Sequence, residues 1–203
     1  MGVNEMAARI IPKHRIMTVE EVQFVLDDLK RRAKRSVNTQ TNEVIFRLAT
    51  VCGLRATEIA ELTVQNVRLD NGKDPYVRVF KGKGGKSGDV TIPDTTTAIA
   101  FSDHLTRRKE DNAGLKDRFV QKTNGKPFNR QEINKRFASA IRGLSDQRRK
   151  ELSVHCGRHT AATMLLNGGA TLATVRDFCR HSNVSVTNVY LHGQDIKPTE
   201  MYQ

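Results

Sequence analysis

At 203 residues the chain is long enough for one domain with a proper core, or for a domain with a short appendage, and it is short for two full domains. Its 34 Lys and Arg against 22 Asp and Glu leave a net charge of +12, which fits DNA, RNA or an anionic membrane surface, because basic side chains that neutralise phosphates release condensed counterions. No apolar run approaches the ~20 residues of a membrane span, the N-terminal MGVNEMAARI lacks a secretory core and a myristoylation signal, and the odd, scattered Cys52, Cys156 and Cys179 argue against a disulfide framework, so a cytoplasmic, reducing setting is expected.

Residues 1–15 show no periodicity and read as a tail or interdomain linker, with a single domain over 16–203. Structure begins at Thr18, where Thr18-Val19-Glu20-Glu21 forms a capping box ahead of Val22, Val25, Leu26 and Leu29 at helical spacing. The basic run Lys30 to Arg35 that ends this helix fits a solvated face better than a phosphate contact. Val44, Ile45, Leu48, Ala49 and Cys52 make a second apolar stripe stopped by Gly53, which places Arg55 in a turn before a short helix over 58–62.

From Tyr76 to Pro93 the period becomes two, with Val77 and Val79 on one side and Val90 and Ile92 after a turn. That pattern predicts a β-hairpin carrying Lys81-Gly82-Lys83-Gly84-Gly85-Lys86 at its tip. The tip is not a Walker loop, since too few residues separate its first glycine from Gly85-Lys86-Ser87. Asn129 and Glu132 open a further helix through Ile133, Phe137, Ala140, Ile141 and Leu144, and helices are expected over 158–167 and, after Thr171, over 172–179. The fold class is therefore mainly α with a small antiparallel β-hairpin or sheet.

Several side chains suit attack on a phosphodiester. Its transition state gathers charge on non-bridging oxygens, and planar guanidinium groups answer that charge with fixed, bidentate donors. Arg55 and Arg158 are the candidates, although singly Arg55 also fits a surface ion pair with Glu58 and Arg158 a helix-start surface residue. His155 and His181 titrate near neutral pH and suit proton transfer or a hydrogen bond to phosphate. His159 fits a packing role better. Tyr190 is the candidate nucleophile, a phenol that needs a base or a positive setting to become a phenolate; Tyr76 and Tyr202 lack its histidine and arginine context. A lysine on the glycine-rich turn, Lys83 or its contender Lys86, can protonate a leaving alkoxide. His155, Cys156 and His159 lack paired zinc-ligand spacing, and the chemistry implies no metal or other cofactor.

The words VHCGRHTAATMLLNGG and FCRHSNVSVTNVYLH, with Gly53-Leu54-Arg55-Ala56-Thr57-Glu58-Ile59 upstream, resemble the HxxRH…GH…Y signature and first-arginine motif of tyrosine recombinases, the phage-integrase family. The resemblance covers about residues 16–192 and implies that family's catalytic-domain fold without its N-terminal core-binding domain. It implies site-specific recombination or integration of double-stranded DNA through a covalent 3′-phosphotyrosyl intermediate, as for enzymes of mobile elements. It also implies a monomer when free, a homo-tetramer in synapsis and a place at the nucleoid. In the family the first histidine of HxxR assists proton movement and the later one hydrogen-bonds the scissile phosphate; these roles pass to His155 and His181. The lysine of the family's GKGxK turn passes to Lys83. Type IB topoisomerase-like relaxation and a non-catalytic DNA-binding module are the rival functions. Two departures stand out: Cys156-Gly157 replaces a common acidic residue and leucine, and Arg180 replaces the glycine before the histidine.

Overall fold

The computed structural model describes residues 11–69, 74–80 and 88–180. Helices dominate, in the order α1 (Val19–Ala33), α2 (Val37–Thr50) and α3 (Ala56–Glu61), then α4 (Thr95–Glu110), α5 (Arg130–Ala140), α6 (Asp146–Glu151), α7 (Val154–Asn167) and α8 (Leu172–Phe178). Between α3 and α4 lies a three-stranded antiparallel sheet of β1 (Val67–Arg68), β2 (Tyr76–Val79) and β3 (Gly88–Thr91), ordered β1-β2-β3. Among the described residues no helix is long and apolar enough to cross a membrane.

Helix α2 is the hub, packing against α1, α4, α5 and α7. Its stripe of Val44, Ile45, Phe46, Leu48 and Ala49 is buried, with Phe46 stacked on Phe137 of α5 at 5.6 Å between ring centroids. A helix buried on all sides from Val44 to Thr50 needs neighbours on several faces. Helix α7 approaches it closely because Gly157 faces it: a Cβ there would lie 3.2 Å from both Ala49 Cβ and Thr50 Cγ2. The leucine that the family resemblance expects would not fit this crossing.

The sheet follows the alternation in its sequence. Val77, Val79 and Val90 face the core, while Arg78 and Asp89, paired in register, form an exposed two-pronged ion pair at 2.8 Å. The hairpin reading holds for the strands, and β1, two residues long, is an addition the sequence did not signal. Its tip, with Lys83 and Lys86, lies outside the described residues.

Capping explains most boundaries. Thr18 caps α1 and exchanges hydrogen bonds with Glu21, Asn129 and Glu132 do the same for α5, and Thr171 caps α8. Helix α7 starts at Val154, earlier than residue 158, because Ser153 caps it through the Cys156 N–H and Val154 and Cys156 are buried. The short helix after Arg55 likewise begins at Ala56 rather than 58. The segment ahead of α1 is docked from Lys13 on: a 3₁₀ turn spans Lys13–Arg15, and Arg148 of α6 binds the Glu21 carboxylate at 2.6 and 2.8 Å and the carbonyls of His14 and Ile16.

Helix α4 contributes a buried histidine. His104 Nε2 donates to the Phe119 carbonyl at 2.8 Å, and its Nδ1 accepts from Arg107 Nη2 at 3.1 Å, the arrangement of a neutral ring. Burial, reinforced by the charges of Arg107 and Arg108, pulls its pKa from 6.5 to about 4. Across that window the unfolded chain binds a proton that the folded chain refuses. Stability from this group is therefore complete above pH 6.5 and falls as the pH drops to about 4, by about 3 kcal/mol. Urea unfolding at neutral pH and at pH 4 should show a smaller acid loss for His104→Gln, which keeps a donor for Phe119; an equal loss would place the titration elsewhere.

Candidate active site

Four charged side chains from three parts of the chain converge beside the N-terminus of α3. Gly53, at φ +61, turns the chain out of α2, and a Cβ there would lie 2.7 Å from Phe178 Cε1, so glycine is required on both backbone and steric grounds. Arg55 follows as the N-cap of α3, its side chain 41% exposed and reaching Glu58 Oε1 at 2.9 Å. Glu58 also accepts the Arg55 backbone N–H on Oε2 at 2.7 Å.

Arg158 enters from α7 and is among the most deeply buried large side chains, 1% exposed. Its Nη1 donates to the Gly53 carbonyl at 2.6 Å and stands 3.8 Å from Glu58 Oε2, too far for a hydrogen bond. Its Nη2 is buried with no hydrogen-bond partner among the described residues. Arg180, just past α8, gives Glu58 Oε2 a hydrogen bond from Nη2 at 2.7 Å. Its φ of +51 is the left-handed backbone that glycine adopts freely, at a cost of about 1 kcal/mol for another residue.

The electrostatics are those of an anion receptor. Burial and the guanidinium groups of Arg55 and Arg180 pull Arg158 down to about 10, still charged at neutral pH. Burial pushes the Glu58 carboxyl up, but the Arg180 charge, the Arg55 N–H and the Arg158 charge outweigh it and hold the pKa below the ordinary carboxylate range. One carboxylate thus faces three guanidinium groups, two of them buried, and leaves excess positive charge at the site. Such a site favours an anionic ligand with several oxygens.

His155 projects from the first turn of α7, edge-on to His159 at 4.3 Å between ring centroids. Partial desolvation, then the positive charges of Arg158, Arg55 and Arg15, lower its pKa. The ring is consequently neutral at physiological pH and able to accept a proton or a hydrogen bond.

Residues 15–196 match the sequence model of the phage integrase family. The chain belongs to the phage integrase family. Tyrosine recombinase XerD of Staphylococcus aureus is 31% identical over 198 residues, covering 92% of this chain and 61% of the relative. XerD of Chlorobaculum tepidum is 31% identical over 191 residues, 91% of this chain and 59% of the relative. The chain therefore spans about three fifths of the length of these curated relatives. Among solved structures, XerA recombinase superposes with a TM-score of 0.74 at 20% identity, covering 89% of this chain and 61% of that one. XerH bound to palindromic difH substrate, a post-cleavage complex, gives 0.75 at 21% identity, covering 96% and 53%. The fold is accordingly that of a tyrosine recombinase catalytic domain.

Of the integrase-type residues read from the sequence, the structure brings Arg55 and Arg158 to one carboxylate and puts His155 within their electrostatic reach. Lys83, Lys86, His181 and Tyr190 lie outside the described residues. Two members of the cluster have no part in the chemistry as read from the sequence. Glu58 enters there only as a surface partner of Arg55, though its place in the integrase motif, three residues after Arg55, is a usable signal. Arg180 stands there as a departure, and its positive φ bears out the left-handed backbone that a glycine position implies.

Proposed function

We propose that the chain carries out site-specific DNA strand cleavage and rejoining. The observation that carries this reading is the buried Arg158, with Nη1 anchored on Gly53, Nη2 without a hydrogen-bond partner among the described residues, and the exposed Arg55 on the other side of Glu58. A scissile phosphate presents two non-bridging oxygens, and two guanidinium groups from separate elements can address both. The Tyr190 oxygen attacks phosphorus while its proton passes to the neutral His155. The bond from phosphorus to the 5′ oxygen breaks, the leaving alkoxide takes a proton from Lys83 or Lys86, and His181 donates to a phosphate oxygen. A 3′-phosphotyrosyl link and a free 5′-hydroxyl result, and reversal onto a different 5′-hydroxyl completes strand exchange. These steps call on no metal or nucleotide.

The DNA-bound XerH structure and the charge of +12 support double-stranded DNA as the partner. Synapsis through a homo-tetramer, a free monomer and a nucleoid-associated cytoplasmic location belong to the same reading. The test is to incubate the chain with a random-sequence pool of nicked duplexes, resolve the products under denaturing conditions, and map the modified residue by mass spectrometry. A DNA adduct on Tyr190 is expected. Relaxation of supercoiled plasmid by the isolated monomer would favour the topoisomerase reading, and salt-sensitive duplex binding without any adduct a non-catalytic module.

A further inference from the structure

Arg180 is a buried cation on a strained backbone, and its surroundings show what it holds. Its side chain is 4% exposed, donates from Nη2 to Glu58 Oε2 at 2.7 Å and from Nη1 to the Phe178 carbonyl at 2.9 Å, and keeps Nε without a hydrogen-bond partner among the described residues. Its stem lies on the first residue of β3, where a Cβ at Gly88 would stand 3.0 Å from Arg180 Cδ and 3.2 Å from Cγ. The same side chain thus touches the carboxylate shared by the site and the strand that leaves the lysine-bearing turn.

Glu58 Oε2 is the contested atom. It accepts from the Arg55 N–H and from Arg180, and Arg158 stands 3.8 Å away. With Arg180 removed, nothing else among the described residues satisfies that lone pair, and a shift of about 1 Å would bring it into hydrogen-bond range of Arg158. Arg158 would then divide Nη1 between the Gly53 carbonyl and Glu58, and spend much of its charge on that carboxylate.

We propose that Arg180 is a positioning residue: it holds Glu58 away from Arg158, so that the charge of Arg158 stays uncommitted for a phosphate oxygen. The proposal rests on the strand-transfer reading above. Arg180 acts through Glu58 and does not itself touch the substrate.

The experiment measures the rate of adduct formation and duplex affinity for the 203-residue chain on the same nicked duplex pool. Arg180→Gly relieves the positive φ, so helix content by circular dichroism should be kept. Its adduct formation should slow about 10- to 100-fold, with duplex affinity little changed, which is the range of couplings between contacting charged side chains. Adding Glu58→Gln to Arg180→Gly should recover part of that loss, about tenfold, because an amide competes far less for Arg158. A merely structural role predicts a further loss. An Arg180→Gly chain as fast as the unaltered one, or a double variant no faster than Arg180→Gly, overturns the proposal. Should Arg180→Gly fail to fold, Arg180→Lys against Arg180→Gln carries the same test: the lysine chain should be the faster, and equal rates overturn the proposal. No adduct from the unaltered chain overturns instead the strand-transfer reading, and the proposal with it.

Discussion

A Tyr190→Phe chain is expected to bind duplex DNA with the affinity and salt dependence of the unaltered chain and to form no covalent adduct. The substitution removes one oxygen and leaves every Lys and Arg in place, so the counterion release that dominates duplex affinity is untouched. Cleavage as proposed, by contrast, needs that oxygen as its nucleophile. Tyr76 is a poor substitute. It sits in β2 beneath the Arg78 guanidinium, 5.4 Å from ring centroid to Cζ, on the exposed flank of the sheet. An adduct that survives the substitution, mapped by mass spectrometry to another residue, would show that the nucleophile is misassigned.

Arg158→Lys is expected to slow adduct formation by about three orders of magnitude while the chain stays folded. Lysine keeps the positive charge opposite Glu58 and can still reach a carbonyl, so the electrostatic support of the fold persists. What it loses is the planar fork, in which Nη1 is fixed on the Gly53 carbonyl and Nη2 has no hydrogen-bond partner among the described residues. A single ammonium cannot serve the carbonyl and a phosphate oxygen in that geometry. The contrast with Arg55 is informative. Arg55 is 41% exposed and anchored only through Glu58, so water partly replaces its charge, and Arg55→Lys should cost less than Arg158→Lys. Single-turnover rates on one nicked duplex rank the two, and the reverse order would sink the placement of Arg158 against the phosphate.

Helices with apolar stripes are legible in the sequence. In α1 and α5 the buried residues recur at helical spacing behind side-chain caps, and local chemistry decides both the period and the start; α2 is also capped, by Ser36, but is buried continuously from Val44 to Thr50. Helix α4 is not legible in this way, because Thr97, Phe101, His104 and Arg108 face inward and three of those four are polar. Their burial depends on partners such as the Phe119 and Arg118 carbonyls, which a hydropathy pattern does not register. Helix α6 buries nothing in its own span and owes its place to Arg148 gripping Glu21 and the segment before α1. The early start of α7 depends on Gly157 as a contact residue against α2, which only the packed molecule shows.

The sequence by itself determined the family, the mainly helical class with its hairpin strands, and the residue types of the chemistry, because capping, periodicity and the spaced motif words are local properties of the chain. Only the tertiary structure decided what those residues face. It set Arg55, Arg158 and Arg180 around one Glu58, left Arg158 Nη2 without a hydrogen-bond partner among the described residues, and turned the anomalous Arg180 into a buried ion pair over Gly88. Two of those contacts, Arg158 with Gly53 and Arg180 with Glu58, join residues more than a hundred positions apart along the chain. Whether a charge is spent on a neighbour or kept for a ligand depends on distances of an ångström or so, which packing fixes and spacing in sequence does not.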